Sequence, residues 1–449
     1  MAAARSQFKS KFGFIMAAAG SAVGLGNIWG FPTQVASNGG AAFVLVYLIL
    51  TFLLAYPVLI VEMTIGRYAQ SNVVSALGSL SDNKLASKIG YGFGCYAIIV
   101  ACLMLSFYAI VSGWLFAYMI AAISSIFGIL TFENWLHEFS ISRNLIFSAI
   151  FASITIYVVS KGVEKGIEKW SKTLMPLLLI ILIFLAGYTF TLPGALEGLK
   201  VYLLPDFSSL ADPKIFINAL GQSFFSLSLG VGGMIVYGSY LSKNESIPKI
   251  GATVAVFDAS IAFLAGLLII PALYAALHNG ADIYDSNGLL TSGENLIFEV
   301  LPVLFDIMGT SGIIVSVLFF FLLSIAALTS AISILEVPVS LVIEKRALTR
   351  PKATALTGGI VFTVSAITIM NFDVLFPLII DFTTKYSITI ISAIFCVYVG
   401  WIWKRTNLLK ELQNGSADIE NSLFWKVWPN YVKYVCPILI ALIFSQFFL

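Results

Sequence analysis

Two stretches of this sequence combine glycine with small polar residues inside otherwise apolar segments. The first, from Gly20 to Asn27, contains three glycines, and the second, from Gly221 to Gly233, contains four. Each glycine weakens a helix interior by about 1 kcal/mol relative to alanine, although glycine also lets helices pack closely in a membrane. Two such clusters in separate segments favour discontinuous helices over close packing alone. A broken helix frees carbonyl oxygens, which suit hard cations, and amide groups, which suit anions.

Other residues can add oxygen ligands to such breaks. Asn27 supplies a side-chain amide directly after the first cluster. Thr329 and Ser330 follow Ala326 by three and four residues, so all three share one helix face. That face presents two hydroxyl groups and can present a carbonyl oxygen. A hydroxyl group on a membrane helix also bonds back to the preceding turn, and both interpretations stand at this level.

Two carboxylates fall within apolar stretches. Asp258 lies in TVAVFDASIAFLAG, where an unpaired charge would cost at least about 2.5–3.5 kcal/mol. We therefore expect a cation or a hydrogen-bond donor to face it. Glu62 has two interpretations. It either snorkels or pairs near Arg67, or it accepts a hydrogen bond from the frayed backbone of a broken helix.

The composition places these residues in a membrane protein. Apolar residues make up 59% of the chain and charged residues 11%, with a mean hydropathy of +0.96, whereas a soluble domain carries roughly a quarter charged residues. The net charge of +2 argues against a nucleic-acid partner. A bilayer core needs about 20 apolar residues per helix. On that scale the sequence predicts eleven spans, near residues 12–36, 41–68, 91–125, 144–160, 168–190, 214–241, 247–276, 309–343, 353–371, 375–403 and 430–448.

The distribution of Lys and Arg predicts the orientation of these spans. With the N-terminus inside, the cytoplasmic segments carry 21 of the 25 basic residues, and the opposite side keeps only Arg143, Lys200, Lys214 and Lys385. Cytoplasmic loops of membrane proteins carry such an excess. We therefore expect a multi-pass protein of the cell membrane with a cytoplasmic N-terminus.

The stretches AVGLGNIWGFP, GQSFFSLSLGVGG and ALTSAISI resemble the neurotransmitter:sodium symporter family, and in particular its bacterial hydrophobic amino-acid branch. The resemblance implies an all-helical fold built from two inverted five-helix repeats. Residues 1–190 would form the first repeat, with a broken helix near 20–27. Residues 214–403 would form the second, with a broken helix near 226–232. Residues 404–449 would add a cytoplasmic linker and the eleventh transmembrane helix.

The same resemblance implies a function without enzymatic chemistry. The protein would be a sodium-coupled symporter that imports hydrophobic L-amino acids, both aliphatic and aromatic, by alternating access. Monoamine carriers of the family have an aspartate at the position of Gly24. A substrate that brings its own carboxylate therefore fits this chain better than an amine does.

Residue by residue, the resemblance implies two sodium sites and one substrate pocket. The first sodium site would use the substrate carboxylate together with Ala22, Asn27, Ser226 and Asp258. The second would use carbonyl oxygens of Gly20, Val23 and Ala326 and the hydroxyl groups of Thr329 and Ser330. The amino-acid pocket would be formed by Ala22, Gly24, Leu25, Gly26, Met104, Tyr108, Phe225, Ser226, Ser228, Val231, Ser330 and Ile334.

The resemblance also implies gates on both sides of this pocket. Arg5 and Glu344 match the cytoplasmic pair, with Tyr240 nearby, although an ordinary surface ion pair is the competing interpretation. On the outer side Asp381 matches an acidic gate residue whose usual arginine partner is replaced by Gly30. Lys385, one turn from Asp381, is a possible substitute.

Span 5 carries two helix breakers, Gly166 and Pro176. They predict either an end that unwinds to release sodium or a plain helix start followed by a proline kink.

Three other functions are alternatives to symport. An ion channel would conduct without accumulating a substrate. A membrane-embedded enzyme would need a nucleophile and a base, and the sequence offers no clear pair. A sensor would bind an amino acid without moving it. The sequence does not specify the oligomeric state.

Overall fold

The computed structural model describes residues 7–127, 130–281, 283, 296–346 and 348–445, and every regular element within them is a helix. Within this part of the chain nine helices are long and apolar enough to cross a bilayer. A bent pair, Lys11–Ala22 with Gly26–Ser37, forms a further crossing that we number span 1. Spans 2 to 5 are Ala41–Ala69, Lys84–Ser125, Ile141–Ser160 and Val163–Thr189. Spans 7 to 11 are Ile247–His278, Thr310–Arg346, Arg350–Met370, Phe372–Ile402 and Leu423–Ser445.

Span 6 consists of two pieces, each too short to cross a bilayer alone. Pro213–Ser226 ends at a break of residues 227–232, after which Gly233–Gly238 continues. Ser228, Gly230 and Gly232 have φ angles of 51°, 82° and 81°. This left-handed region ends an α-helix and favours glycine. The described residues thus form the all-helical membrane fold predicted from the sequence, with nine or ten apolar spans. The two short helices that we number span 6 occupy the place of the remaining predicted span.

Span 1 bends by 54° at its break, where Val23, Gly24 and Leu25 separate two helices. At Gly24 glycine is required because the neighbouring side chains leave no room for a Cβ atom. A Cβ atom there would lie 2.6 Å from the Ser330 Oγ and 2.9 Å from the Tyr108 hydroxyl. The missing side chain therefore lets spans 3 and 8 approach the break.

Spans 3 and 8 are the longest helices, with 42 and 37 residues, and they pack against each other. The first half of span 1 packs against spans 5, 7 and 8. Because spans 3 and 8 are much longer than the roughly 20 residues that cross the hydrocarbon core, they must be tilted or extend past it. Shorter helices between the spans include Val73–Gly78, Leu130–His137, Ala195–Leu203, Leu301–Ile307 and Arg405–Gln413. This packing brings the break of span 1 against the middle of span 8.

The start of span 5 is helical. Residues Val163–Glu168 form a π-helical turn after Gly162, whose φ is 93°, and the α-helix Lys169–Thr189 continues through Pro176. Proline removes a backbone hydrogen bond from the helix interior, and a π turn is a weak point of a helix. Of the two interpretations from the sequence, this structure contains the continuous helix with an irregular first turn.

Candidate ion and substrate site

Four polar side chains from four spans meet beside the breaks. Asn27 Nδ2 donates hydrogen bonds to Ser226 Oγ, at 2.8 Å, and to Asp258 Oδ1, at 2.7 Å. Ser226 Oγ donates to Asp258 Oδ2, at 2.8 Å, and accepts from the Tyr47 hydroxyl, at 3.0 Å. All four residues are buried. The Asp258 carboxylate is thus faced by hydrogen-bond donors, one of the two environments expected for it.

The side-chain amide of Asn27 points its oxygen away from this carboxylate. Asn27 Oδ1 accepts from the backbone N–H of Gly24, at 3.1 Å, whereas the resemblance places that oxygen on a cation. The amide NH2 group lies against the carboxylate and hydroxyl oxygens of Asp258 and Ser226, the oxygens that the resemblance assigns to a cation. A half-turn of the amide would exchange its nitrogen for its oxygen and complete a set of oxygen ligands.

A second group of oxygens joins span 8 to the end of the first helix of span 1. Ser330 Oγ lies 3.1 Å from the carbonyl oxygen of Val23 and 3.4 Å from that of Gly20. Thr329 Oγ1 lies 3.1 Å from the carbonyl oxygens of Ile325 and Ala326. Of the two interpretations of these hydroxyl groups, back-bonding therefore holds for Thr329, whereas Ser330 reaches across to the other span.

The helix ends give this oxygen cluster a favourable field. The last carbonyls of Lys11–Ala22 carry the negative end of a helix dipole toward Ser330, and Pro213–Ser226 ends beside Asp258 in the same way. A helix C-terminus stabilises nearby cations, and an N-terminus stabilises anions. The second half of span 1 begins at Gly26. The end of the first helix of span 1 therefore suits a cation, and the start of its second helix suits a carboxylate.

A cavity of about 390 Å³ lies beyond the breaks, on the side away from the start of the chain. Four of the predicted pocket residues line it: Leu25, Gly26, Tyr108 and Phe225. Aromatic and aliphatic side chains from spans 3, 6 and 10 also line it, among them Phe107, Val111, Phe224, Phe376 and Ile388, together with polar side chains such as Gln222 and Thr384. The remaining predicted pocket residues are buried or half-buried and do not line this cavity: Ala22, Gly24, Met104, Ser226, Ser228, Val231, Ser330 and Ile334.

The structure selects one interpretation of Glu62. Its Oε1 accepts a hydrogen bond from the backbone N–H of Gly230, at 2.7 Å, inside the break of span 6. Arg67 does not pair with Glu62. It forms a buried salt bridge with Glu411, at 2.6 Å, in the helix Arg405–Gln413. The intramembrane carboxylate thus holds the backbone of the broken helix, as one of the two sequence interpretations proposed.

The side of the bundle where span 1 begins, which we call the N-terminal side, contains a buried polar cluster. The Tyr240 hydroxyl donates to Glu336 Oε1, at 2.6 Å, and Glu336 also forms a salt bridge with Arg350. Tyr240 therefore contacts Glu336, a partner that the sequence analysis did not name. Glu344 accepts hydrogen bonds from the backbone N–H and side chain of Asn72, at 3.2 and 2.5 Å. The predicted partner Arg5 lies outside the described residues.

Sequence reasoning missed Glu336 and Arg350. The available signal was a carboxylate inside the apolar run SAISILEVPVSLV, the same kind of signal that identified Asp258. Glu168 was missed as well. Its carboxylate accepts from the Lys9 backbone N–H, at 2.7 Å, and from Ser10 Oγ, at 2.9 Å, and so fastens the start of span 1 to span 5.

Comparison with known proteins places the chain among membrane transporters. The model of the Sodium:neurotransmitter symporter family matches residues 5–143 and 129–449. The chain belongs to this family. Two relatives are described as uncharacterized sodium-dependent transporters. YhdH of Bacillus subtilis is 33% identical over 98% of this chain and 96% of its own length. The protein of Haemophilus influenzae is 34% identical over 98% of this chain and 97% of its own length.

A solved structure agrees with the fold over the whole chain. The crystal structure of MhsT in complex with L-phenylalanine superposes with a TM-score of 0.83 and 36% sequence identity, covering 98% of this chain and 99% of that one. Membership of the Sodium:neurotransmitter symporter family confirms the family named from the sequence motifs. It also confirms that the protein is a multi-pass transporter and not an enzyme.

Asp381, which the family resemblance implied as an acidic gate residue, has a partner on its own helix. Asp381 forms a salt bridge with Lys385, at 2.6 Å, one turn further along span 10, and both side chains are about half exposed. At Gly30 the nearest side chain is that of Gln222, which donates to the carbonyl oxygen of Gly26, at 2.9 Å. Lys385 is therefore the partner of Asp381 in this structure, which is the substitute that the sequence offered.

Proposed function

We propose that this protein is a sodium-coupled symporter that imports hydrophobic L-amino acids by alternating access. The observation that carries the proposal is the convergence of Asn27, Ser226, Asp258 and Ser330 on two helix breaks, next to a largely apolar cavity. Such breaks expose carbonyl oxygens for cations and amide groups for a carboxylate in the middle of a membrane. Membership of a family of sodium symporters supports the same ion.

Two sodium ions are the proposed co-substrates. One would bind beside Asp258 and Ser226, with the Ala22 carbonyl, a rotated Asn27 amide and the carboxylate of the substrate completing its ligands. The other would bind between the Gly20, Val23 and Ala326 carbonyls and the Thr329 and Ser330 hydroxyl groups. Because the substrate itself is a ligand of the first ion, binding of the amino acid and binding of sodium are coupled directly.

The energy available from this coupling is sufficient for concentrative uptake. A tenfold sodium gradient contributes about 1.4 kcal/mol per ion, and a membrane potential of 100 mV contributes about 2.3 kcal/mol. Two ions would supply about 7 kcal/mol, which bounds the accumulation of a zwitterion near 10⁵-fold.

A hydrophobic amino acid is the proposed substrate because no carboxylate or cation lines the cavity wall among the described residues. Gly24 has no side chain, so this position supplies no carboxylate that could pair with the amino group of an amine substrate. The related MhsT structure contains L-phenylalanine, and this supports an aromatic side chain. An apolar pocket discriminates weakly, about 10–200-fold per methylene, so we expect a range of aliphatic and aromatic substrates.

We propose that the two repeats, residues 1–190 and 214–403, move as the family fold implies. Spans 1 and 6 would rock with their neighbours against a scaffold that contains spans 3 and 8. The N-terminal side would face the cytoplasm, as the distribution of basic residues indicates. The described structure has its cavity on the opposite side, and Phe8 packs at its N-terminal side against Tyr237 and Tyr240. This supports an outward-facing conformation.

Uptake by the purified protein in liposomes tests the proposal. Radiolabelled amino acids of each chemical class are added with an inward sodium gradient, and again with potassium in its place. A symporter accumulates leucine or phenylalanine above equilibrium only with the sodium gradient. Binding without uptake would indicate a sensor, and equilibration without accumulation would indicate a channel.

A pair of glycine variants links uptake to the site. In Gly24→Ala the new methyl group would lie within 3 Å of Ser330 Oγ and the Tyr108 hydroxyl, so substrate affinity should fall at least about tenfold. Gly187→Ala is the matched control, because a Cβ atom at Gly187 meets no atom within 4 Å. Equal uptake by both variants would show that the space around Gly24 takes no part in substrate binding.

A further inference from the structure

A second cavity, of about 460 Å³, opens at the N-terminal side, away from the ion and substrate site. It lies between the beginning of span 3, the end of span 8 and the short helix Val73–Gly78. We call it the interfacial groove. Its walls are formed by Val74, Tyr91, Gly92, Cys95, Leu341 and Val342, with Lys345 and Arg346 at one end.

The groove faces the bilayer near its boundary with water. Span 3 begins at Lys84, eight residues before Gly92, which corresponds to roughly 12 Å along the helix. On the same stretch Leu85 and Ile89 are 68% and 45% exposed, as expected for side chains that contact lipid. At Gly92 an added Cβ atom would meet nothing within 4 Å, so the absence of a side chain keeps the groove open.

The two charged residues that line the groove, Lys345 and Arg346, are both positive. Lys345 and Arg346 are exposed, and the Lys345 ammonium lies 5.9 Å from the centre of the Tyr91 ring. Lys88 precedes Gly92 by one helical turn and so lies on the same face of span 3. The neighbouring Glu344 carboxylate bonds to Asn72. Among the described residues no carboxylate forms a salt bridge with Lys345 or Arg346.

We infer that the interfacial groove binds an anionic phospholipid from the surrounding leaflet. An acyl chain lies against Val74, Leu341 and Val342, while the phosphate group contacts Lys345 and Arg346. Basic pockets between membrane helices on the cytoplasmic side of a membrane bind anionic headgroups in this way. A lipid fits better than a protein partner because the groove opens toward the hydrocarbon layer and is bounded by lipid-facing side chains.

The bound lipid bridges three elements of the bundle. Val74 belongs to the short helix, Tyr91 to span 3 and Leu341 to span 8. Spans 3 and 8 also carry Tyr108 and Ser330, so the lipid contacts, at the N-terminal side, the ends of the two helices that flank the break of span 1. The inference itself needs only a membrane setting and does not depend on which amino acid or ion is carried.

Competitive lipid binding tests the inference. The full-length protein, purified and delipidated in detergent, is mixed with equal amounts of dioleoyl phosphatidylglycerol and dioleoyl phosphatidylcholine, and bound lipid is counted by native mass spectrometry. Each basic side chain near an anionic lipid is worth about fivefold in affinity, so the wild-type protein should retain phosphatidylglycerol in at least about fivefold excess. The double variant Lys345→Gln/Arg346→Gln should lose most of this preference, because only Lys88 remains beside the groove. Lys345→Arg/Arg346→Lys, which keeps both charges, should retain the preference.

A filling variant separates the groove from the rest of the lipid-facing surface. Gly92→Leu places an apolar side chain in the groove and improves helix propensity, so it should fold and yet retain less of either lipid. Gly359→Leu is its control, because Gly359 is exposed, lies a similar distance from the start of span 9, and also has open space around it.

Labelling of Cys95 by N-ethylmaleimide localises the bound lipid. Cys95 is exposed and lines the groove, whereas Cys102 on the same helix does not line it and serves as internal control. Phosphatidylglycerol should slow Cys95 labelling several-fold, and inorganic phosphate should not.

Equal retention of both lipids by the wild-type protein, or an unchanged preference in the glutamine variant, would overturn the inference. Protection by phosphate alone would indicate a free-anion site, and protection that rises with protein concentration would indicate a second copy of the chain. Either of these two results would also overturn the proposal that the groove binds a lipid.

Discussion

Ser330 Oγ lies 3.1 Å from the carbonyl oxygen of Val23, although 307 residues separate them along the chain. This contact joins the middle of span 8 to the broken end of the first helix in span 1. An ion held between them would be bound only while the two spans are close. Separation of span 1 from span 8 on the N-terminal side would therefore open the proposed second sodium site and release the ion.

The proposed second sodium site should lose sodium affinity when its hydroxyl groups are removed. Thr329→Val together with Ser330→Ala deletes two of the five proposed oxygen ligands and leaves the helix backbone intact. Sodium-driven uptake should fall at least about tenfold, with a rise in the sodium concentration needed for substrate binding. The measurement is substrate binding and uptake at a series of sodium concentrations.

A matched pair of hydroxyl deletions on the same helix controls for stability. Ser324 Oγ and Ser340 Oγ are buried and donate only to carbonyls of their own helix, Phe320 and Val337. Ser324→Ala/Ser340→Ala should keep wild-type sodium dependence. Wild-type sodium affinity in the Thr329/Ser330 variant would exclude these ligands.

Asp258 should make transport independent of chloride. Two sodium ions beside one substrate carboxylate leave an excess positive charge in a region of low dielectric constant, where a fixed negative charge offsets it. Replacing chloride with gluconate should leave wild-type uptake unchanged, and Asp258→Asn should lower uptake at limiting sodium by at least about tenfold. Asp373→Asn, at an exposed carboxylate, should have no effect. A several-fold loss of wild-type uptake without chloride would contradict this role.

Val231 should set the upper size of the substrate. It is buried in the break of span 6 between Gly230 and Gly232. It does not line the 390 Å³ cavity, but it belongs to the pocket that the family resemblance implies, and a phenylalanine there would reduce the volume of that proposed pocket. Val231→Phe should lose tryptophan binding while keeping leucine, because the larger side chain removes volume that only the bulky substrate needs. Competition of both amino acids against labelled leucine measures the effect.

The control for this change is Val374→Phe, since Val374 is 67% exposed and lies outside the proposed pocket. Its substrate profile should match that of the wild type. If tryptophan fails to compete with leucine even on the wild-type protein, the pocket is smaller than proposed.

The salt bridge between Glu336 and Arg350 should stabilise the N-terminal side. Glu336 is fully buried and also accepts from Tyr240, so Glu336→Gln leaves the Arg350 guanidinium without its counter-charge. Removing one partner of a buried pair costs about 3–5 kcal/mol, with the lower value expected here because Arg350 is 20% exposed. The unfolding midpoint in detergent, measured at one heating rate, should fall.

A second variant distinguishes lost charge balance from lost packing. Glu336→Leu/Arg350→Met removes both charges and should recover most of the lost stability, because replacing a buried ion pair by apolar residues is often neutral. If the double variant is as unstable as Glu336→Gln, the pair acts through geometry and not through charge.

Much of the architecture followed from local sequence features. Apolar length predicted the spans because hydrocarbon thickness fixes the number of residues a helix needs. The glycine clusters predicted both breaks, and at Gly230 and Gly232 the reason is local, since a left-handed φ favours glycine. The motifs around Gly24 and Thr329 also identified the family, which the whole-chain comparisons confirmed.

The sequence alone determined that the chain crosses a membrane, where its helices break and which oxygen-bearing residues stand near those breaks, because these depend on hydropathy and backbone propensity along a short segment. Only the tertiary structure decided which polar groups are partners. Glu62 bonds to Gly230 while Arg67 bonds to Glu411, Tyr240 contacts Glu336, and the Asn27 amide presents its nitrogen to Asp258. Each choice joins residues more than 90 positions apart. Helix packing sets which of several chemically equivalent donors and acceptors meet, because a buried polar group bonds to whichever partner the neighbouring span brings within reach.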